Sequence, residues 1–331
     1  MQDENTAPVG GAECPRPFDS PDRRDGRVYV MLDEVRLAVD VALATGRPLL
    51  LRGDPGSGKS SLAPYIARRR GWRYYEHVVT SRTQATDLLW TYDHVQRLSD
   101  AQVRAPGEKL SGHRYVTPGP LWWAFAPASA ARAGGGPGEA GSRRREEPFR
   151  EINDRRSPHQ AVVLIDEIDK ADPDMPNSLL VPLGSNEFIV AETGERVCKE
   201  PAPAAVHTAE NRHLIIVTTN EERELPQAFL RRCVVAWLPE PETERLLRIA
   251  EQHFTHYDGA FTDEDRQLAA TLAEELSNAR QMAKKQGLRP PSTAEFLDAL
   301  RACRSIGVSP GDERWELVRR LVLLKPQQPD R

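Results

Sequence analysis

The chain has 331 residues, of which 39% are hydrophobic and 28% charged, and its formal net charge is −4. This length allows roughly two domains with a real core, and the near-neutral charge gives no support for a dedicated nucleic-acid or membrane binder. Because the chain holds no run of about 18 apolar residues and begins without a basic region before an apolar one, we expect a cytoplasmic protein with no membrane partner.

The cysteines are far apart in the sequence and form no C-x-x-C pair. They are Cys14, Cys198, Cys233 and Cys303. Without disulfide or zinc-ligand spacing, reduced thiols are expected and a structural metal is not.

The chain opens with a polar segment and then a helical pattern. Residues 1–26 are rich in Pro, Gly, Asp and Arg and predict a disordered leader, so that the fold starts near Arg27. Over residues 29–44 apolar side chains recur at helical spacing, and the pattern stops at Gly46. A helix is therefore predicted before the first strand.

A glycine-rich loop follows the apolar residues 48–51 and continues into a predicted helix over residues 60–69. The loop fits the pattern G-x-x-x-x-G-K-[ST] with Gly53, Asp54, Pro55, Gly56, Ser57, Gly58, Lys59 and Ser60. Glycines let the backbone N–H groups turn inward around a phosphate at the positive end of the helix. Lys59 is expected to neutralise phosphate oxygens and Ser60 to ligate Mg²⁺. We predict a nucleoside triphosphate site that also includes Ser61, since a plain glycine turn would not require Lys and then Ser.

The next segment is less regular. Residues 72–80 read as a strand, and a helix is predicted to start over residues 86–90, capped by its first or second residue. Residues 131–158 contain a glycine run at 134–138 and three arginines at 143–145, so they predict a mobile insertion. The arginines are expected to be solvated, and the open alternative is a nucleic-acid patch.

An unbroken apolar run at residues 161–165 ends in Asp166 and Glu167. Such a run is typical of a strand buried on both faces, and ligands bind at the carboxyl ends of parallel strands. We predict that Asp166 holds Mg²⁺ through water and that Glu167 orients or deprotonates the attacking water. The acids could instead cap a following helix, but the phosphate loop in the same chain favours catalysis.

Another buried strand, residues 214–219, ends in Asn220, whose amide could bind a γ-phosphate or the lytic water, or could be a simple turn residue. Between the two strands, residues 187–199 predict a two-stranded hairpin with Gly194 in its turn. Beyond residue 239 the apolar spacing is helical throughout, and Ser292 to Glu295 form a capping-box start. We predict an α/β core over residues 27–239 and a small helical domain over residues 240–331.

The order of Lys59, Asp166, Glu167, Asn220 and the segment 225–232 resembles that of AAA+ ATPases, over roughly residues 28–305. More narrowly the chain resembles the MoxR branch. The matching segments are Gly-Pro-Leu at residues 119–121, the acidic continuation at residues 166–171 and the paired leucines at residues 179–180. The resemblance implies a P-loop NTPase αβα sandwich with a five-stranded parallel sheet and an all-α lid.

The resemblance also implies roles for particular residues. Asn220 would be the sensor of the γ-phosphate, and Arg232 would be the arginine finger for a neighbouring subunit's ATP, with Arg231 as the close alternative. The two arginines could instead be a solvated helix end. A finger acting in trans implies a ring, in this family a homohexamer. ATP with Mg²⁺ is expected because no guanine-reading motif follows the phosphate loop.

The resemblance is incomplete in the lid, where MoxR-like chains carry a sensor arginine near the start of the third helix and this chain has Ser292 and Thr293. Arg289 is the candidate substitute, or a solvated loop residue. The hairpin and residues 82–160 resemble the pre-sensor hairpin and the helix-2 insertion. The implied function is remodelling of a client, such as a protein with a von Willebrand factor A domain. The alternatives are a nucleic-acid motor and a slow nucleotide-switched scaffold.

Overall fold

The computed structural model describes residues 25–103, 111–135, 145–201 and 213–323. Nearly all of the predicted leader, together with Cys14 and two of the three clustered arginines, lies outside these residues. Within them, Cys198, Cys233 and Cys303 are free thiols. No helix in the described ranges has the length and apolar character needed to cross a membrane.

The described residues contain nine strands. They are β1 Leu49–Arg52, β2 Trp72–Val78, β3 Trp90–Tyr92, β4 Val116–Pro118, β5 Ser157–Asp166, β6 Glu187–Ile189, β7 Arg196–Cys198, β8 Leu214–Thr219 and β9 Val234–Trp237. Five of these strands form one sheet in the order β2-β5-β8-β1-β9, and all of its pairings are parallel. The strands β3 with β4 and β6 with β7 form two separate antiparallel ribbons.

Helices surround the sheet and make up the carboxyl-terminal part. They are α1 Asp33–Thr45, α2 Lys59–Arg70, α3 His94–Val103, α4 Pro120–Phe125, α5 Pro127–Arg132, α6 Arg150–Asn153, α7 Met175–Ser178, α8 Leu180–Ser185, α9 Gln227–Leu230, α10 Thr243–His253, α11 Asp263–Gln286, α12 Thr293–Ile306 and α13 Trp315–Val318. The four helices α10 to α13 form a helical region after the last strand of the sheet.

The central strands are apolar because both of their faces are covered. In β5, Val162 and Leu164 pack into one core cluster, whereas Val163 and Ile165 pack into another on the opposite face. The first cluster is completed by α1 and α2 and the second by α4 and the chain that follows β5. This alternation places helices on both faces, so the predicted αβα sandwich with a five-stranded parallel sheet is confirmed.

The edge of the sheet at β2 is closed by side chains rather than by another strand. The buried Asn153 amide accepts from the Tyr74 N–H at 2.8 Å and donates to the Tyr74 carbonyl at 3.1 Å. Arg156 donates to the Trp72 carbonyl at 3.1 Å. Residues 145–158, which the sequence assigned to a mobile insertion, therefore pack against the sheet edge.

The prediction that a helix starts over residues 86–90 is wrong. A single 3₁₀ turn, Ala85–Leu88, ends there, with the Gln84 N–H donating to Asp87, and β3 begins at Trp90. Trp90 stacks on Phe188 of the β6–β7 ribbon at 5.6 Å and donates its indole N–H to Glu192 at 2.8 Å. Trp90 thus belongs to the β3–β4 ribbon, which packs against the β6–β7 ribbon.

The helical region has its own apolar core between α10, α11 and α12. It contains Leu246, Phe254, Leu272, Phe296 and Leu300, all of which are fully or almost fully buried. The predicted capping box is present at the start of α12. Ser292 N–H donates to Glu295 at 2.7 Å, and Glu295 N–H donates to Ser292 Oγ at 3.3 Å.

Candidate functional site

The glycine-rich loop connects β1 to α2 at the carboxyl edge of the sheet. Gly53, Gly56 and Gly58 have φ angles of 150°, 76° and 94°, values that side chains rarely allow. A Cβ on Gly53 would lie 2.4 Å from the Leu238 carbonyl oxygen, and one on Gly56 would lie 2.3 Å from Ser292 Cβ. The loop is therefore held between the end of β9 and the start of α12, where only glycine fits.

Lys59 is the first residue of α2 and is buried. Its Nζ donates to the carbonyl oxygens of Gly53 at 2.6 Å and Asp54 at 2.9 Å. Burial lowers the pKa of Lys59, and the nearby Asp166 and Asp169 carboxylates oppose that shift. Lys59 thus bonds to the backbone of the phosphate loop and lies near a group of acidic side chains.

Asp166 connects three elements at the end of β5. Its Oδ1 accepts hydrogen bonds from Ser60 Oγ at 2.7 Å and from Thr218 Oγ1 at 2.6 Å. The side chain is almost completely buried. The start of α2 and the ends of β5 and β8 are fixed together at this carboxylate.

Glu167 follows directly, in a left-handed conformation with φ of 60°. Its N–H donates to Thr218 Oγ1 at 2.9 Å. Its carboxylate accepts from Lys170 Nζ at 2.6 Å and from Asn220 Nδ2 at 3.3 Å. The hydrogen bond to Glu167 raises the pKa of Lys170. The structure thus brings Glu167 and Asn220 into contact, as parallel neighbouring strands require.

A cleft of about 430 Å³ extends from this edge toward the helical region. It is lined by the loop residues 55–61, by Asp166, Glu167, Thr218 and Asn220, and from the other side by Tyr29, Arg245, Ile249, His253, Arg289 and Thr293. Arg289 therefore lies at the cleft, together with the start of α12. Arg231 and Arg232 do not line it.

Arg231 and Arg232 lie at the end of α9 and are both exposed. The Arg231 carbonyl accepts a hydrogen bond from Arg47 at 3.1 Å. Arg232 lines a separate cavity of about 230 Å³ with Leu183 and Phe229. Neither guanidinium belongs to the cleft of its own chain.

The residues of the cleft fit a magnesium nucleotide. A serine hydroxyl and a carboxylate oxygen, from Ser60 and Asp166, are hard oxygen donors of the kind Mg²⁺ prefers. Among the described residues, the buried polar atoms at the cleft that have no hydrogen-bond partner include Ser57 Oγ, Tyr29 Oη and Arg245 Nε. Buried polar atoms are normally paired, and a bound nucleotide would supply partners here.

Several residues of the site were not found from the sequence. Thr218 was read only as a strand residue, although every second side chain of such a strand reaches the same face as Asp166. Tyr29 and Arg245 were read as parts of helical patterns, and Asp169 and Lys170 only as family motif. No local pattern distinguishes these contacts, because each joins segments far apart in the chain or depends on a single backbone angle.

A parallel sheet in this order, with a phosphate loop at its carboxyl edge, defines a P-loop nucleotide-binding protein. Residues 48–233 match the family model of the AAA domain, dynein-related subfamily. The match covers more than half of the chain, so the chain belongs to this AAA family.

A crystal structure of a Cytophaga hutchinsonii ATCC 33406 protein, whose assignment as an ATPase is provisional, is 14% identical in sequence. The similarity covers 91% of this chain and 83% of that one, with a TM-score of 0.41. No curated protein sequence matches this chain.

Proposed function

We propose that this protein hydrolyses ATP to ADP and phosphate with Mg²⁺, as an AAA+ ATPase of MoxR type. The observation that carries the proposal is the meeting of a P-loop lysine, two consecutive acids and an asparagine at one edge of the sheet. Lys59, Ser60, Asp166, Glu167 and Asn220 come from three separate segments and meet through hydrogen bonds. A group of this kind serves phosphoryl transfer, in which positioning and charge stabilisation do most of the work.

The phosphate end of the cleft would bind the phosphates of the nucleotide and orient them. The backbone N–H groups of residues 56–61 would surround the phosphates, and Lys59 would exchange its two carbonyl partners for phosphate oxygens. Ser60 and Asp166 would hold Mg²⁺, which neutralises charge that develops on the phosphate oxygens. Arg289 is proposed as the lid residue nearest the nucleotide, in place of the missing sensor arginine.

Glu167 is proposed as the group that orients or deprotonates the attacking water, with Asn220 beside it. In the free protein the Glu167 carboxylate is paired with Lys170. A carboxylate must release that partner to accept a proton effectively, because a cation beside it favours its ionised form.

The Glu167→Gln variant tests this assignment. It retains the shape and the Asn220 contact but loses the negative charge, so ATP affinity is kept while kcat falls by about 10²- to 10⁴-fold. The matched control is Glu224→Gln, an exposed acid in the loop after β8. Wild-type turnover in Glu167→Gln, measured as phosphate release, would reject the assignment.

The arginine finger and the homohexameric ring are part of the same proposal. Arg232, or Arg231 beside it, is exposed and outside its own cleft, which supports action on a neighbouring subunit. Arg232→Ala subunits mixed with wild-type subunits should bind ATP and lower hydrolysis at the wild-type sites. An effect confined to the mutated subunits would reject the trans arrangement, and Arg69→Ala on the surface of α2 is the control.

We propose that the assembled ring remodels a partner protein, with von Willebrand factor A domain proteins as the client class. Arg145, the described member of the arginine cluster, donates to the carbonyls of Arg114 and Val116 at 2.9 and 2.8 Å and is used internally. Salt-sensitive stimulation of ATPase activity by DNA would favour a nucleic-acid motor instead. ATP binding without turnover would favour a slow switch.

A further inference from the structure

Asp169 is a buried acid that the proposed mechanism does not use. It lies in the 3₁₀ turn Ile168–Lys170, two residues after Glu167, and only 3% of it is exposed. Its Oδ2 accepts two backbone hydrogen bonds from the loop after β8, from Asn220 N–H at 3.1 Å and from Glu222 N–H at 3.0 Å. One oxygen therefore joins the turn after β5 to the loop after β8.

The geometry of that loop follows from the contact. Glu221, the residue between the two donors, has a φ of 61°, a left-handed value that is uncommon outside glycine. With the middle residue in this conformation, two N–H groups converge on a single anion. Hydrogen bonds to a carboxylate are about twice as strong as those between neutral groups. Asp169 therefore stabilises the strained turn at Glu221, directly after Asn220.

The 3₁₀ turn that holds Asp169 begins directly after Glu167. Asn220 Nδ2 lies 3.3 Å from Glu167 Oε1, and this contact joins two side chains whose backbones belong to different strands. Asp169 fixes the backbone of Asn220 from the turn that follows Glu167. We propose that Asp169 is a positioning residue that sets Asn220 against Glu167, an inference that rests on the proposed ATPase function.

Two other roles for Asp169 make different predictions. Burial lowers the pKa of Lys59 and the Asp169 carboxylate opposes that shift, so a role in keeping that lysine charged would appear as a change in ATP affinity. A purely structural role would appear as a change in stability that does not depend on Asn220. Positioning of Asn220 predicts a change in kcat alone, and only while Asn220 is present.

The experiment compares Asp169→Ala and Asp169→Asn with the wild-type chain. Loss of both hydrogen bonds in Asp169→Ala should lower kcat on the order of 10²-fold, because small misplacements of catalytic groups are costly. Asp169→Asn keeps a carbonyl acceptor but loses the charge, and a smaller decrease is expected. KM and the affinity for a fluorescent ATP analogue should change by less than about twofold in both variants. The control is Asp174→Asn, an exposed acid directly before α7 whose side chain makes no capping hydrogen bond.

A double-mutant cycle with Asn220→Ala decides the question. If Asp169 acts through Asn220, adding Asp169→Ala to Asn220→Ala should lower kcat by less than about threefold more. Two independent, multiplicative decreases would overturn the inference. If Asp169→Ala fails to fold, as judged by its thermal unfolding midpoint, the same cycle is run with Asp169→Asn.

Glu167→Gln, run in parallel, separates this inference from the proposed function. Loss of turnover in Glu167→Gln together with wild-type kcat in both Asp169 variants would overturn only the positioning role. Absence of phosphate release by the wild-type chain would reject the proposed function, whereas wild-type turnover in Glu167→Gln would reject the assignment of Glu167 and the inference with it.

Discussion

The two ends of the nucleotide cleft differ in how their polar groups are satisfied. At the phosphate end, Lys59 is bonded to loop carbonyls, and Asp166 accepts from Ser60 and Thr218. At the lid end, Tyr29 Oη and Arg245 Nε are buried without hydrogen-bond partners among the described residues. Ser57 Oγ in the phosphate loop also lacks a partner, but the protein itself fixes Lys59 and Asp166 in place, whereas a ligand would complete the lid end. Substitutions at the two ends should therefore have different signatures.

The largest effect is expected for Lys59→Ala at the phosphate end. Because hydrogen bonds to charged groups contribute about 1.5–3 kcal/mol each, loss of the ammonium group should weaken ATP binding on the order of 100-fold. Titration with a fluorescent ATP analogue measures this change. Unchanged affinity would contradict the role of the loop, and Lys285→Ala, an exposed lysine of α11, is the control.

Thr218→Val should have the next largest effect. The valine keeps the shape but removes the acceptor of the Glu167 N–H and the donor to Asp166. An unsatisfied buried group costs about 1–3 kcal/mol, so we expect a lower unfolding midpoint even without nucleotide and a kcat reduced by about tenfold. A variant with wild-type midpoint and kcat would show that the phosphate end is not fixed by this hydroxyl.

Tyr29→Phe tests the lid end and should have the opposite signature. Burial raises the pKa of Tyr29 to about 12, so its hydroxyl stays protonated and can donate. Without nucleotide the variant should be at least as stable as the wild type, because an unpaired buried hydroxyl is removed. ATP affinity should fall by about 3- to 10-fold, the equivalent of one hydrogen bond.

The matched control is Tyr65→Phe, because the Tyr65 ring lies 5.5 Å from that of Tyr29 in a tilted contact but does not line the cleft. A decrease in nucleotide-free stability with unchanged ATP affinity in Tyr29→Phe would refute the distinction between the two ends.

The smallest effect is expected for Lys284→Gln. Lys284 of α11 pairs with Glu240 at 2.9 Å and lies 3.9 Å from Asp54 of the phosphate loop. Exposed pairs contribute about 0–1 kcal/mol and are screened by salt, so the unfolding midpoint should change little, and not at all at high salt. A large, salt-insensitive loss of stability would mean that the lid is held to the loop by this ion pair.

The buried strands and the phosphate loop could be predicted from the sequence because their signals are local. β1, β5 and β8 each contain an unbroken apolar run, and the loop has fixed spacing. The sheet edge and the ribbons could not be predicted in the same way. Asn153 closes the edge through contacts with a strand about eighty residues away, and Trp90 belongs to a ribbon because Phe188 and Glu192 offer it partners.

The same distinction holds within the site. Lys59, Ser60, Asp166, Glu167 and Asn220 meet at one edge as parallel strands require, and their catalytic roles stay predictions. Thr218 and Asp169 each make two hydrogen bonds to segments far from them in the chain, and such contacts leave no repeating pattern in the sequence.

The contact of Gly56 with Ser292 gives the phosphate loop a mechanical role. Because a Cβ on Gly56 would lie 2.3 Å from Ser292 Cβ, no water and no side chain separates the loop from the first residue of the capping box. A displacement of the loop is therefore transmitted to α12 by hard-core repulsion rather than through a flexible linker. A single methyl group added at Gly56 would therefore displace the start of α12 even without nucleotide.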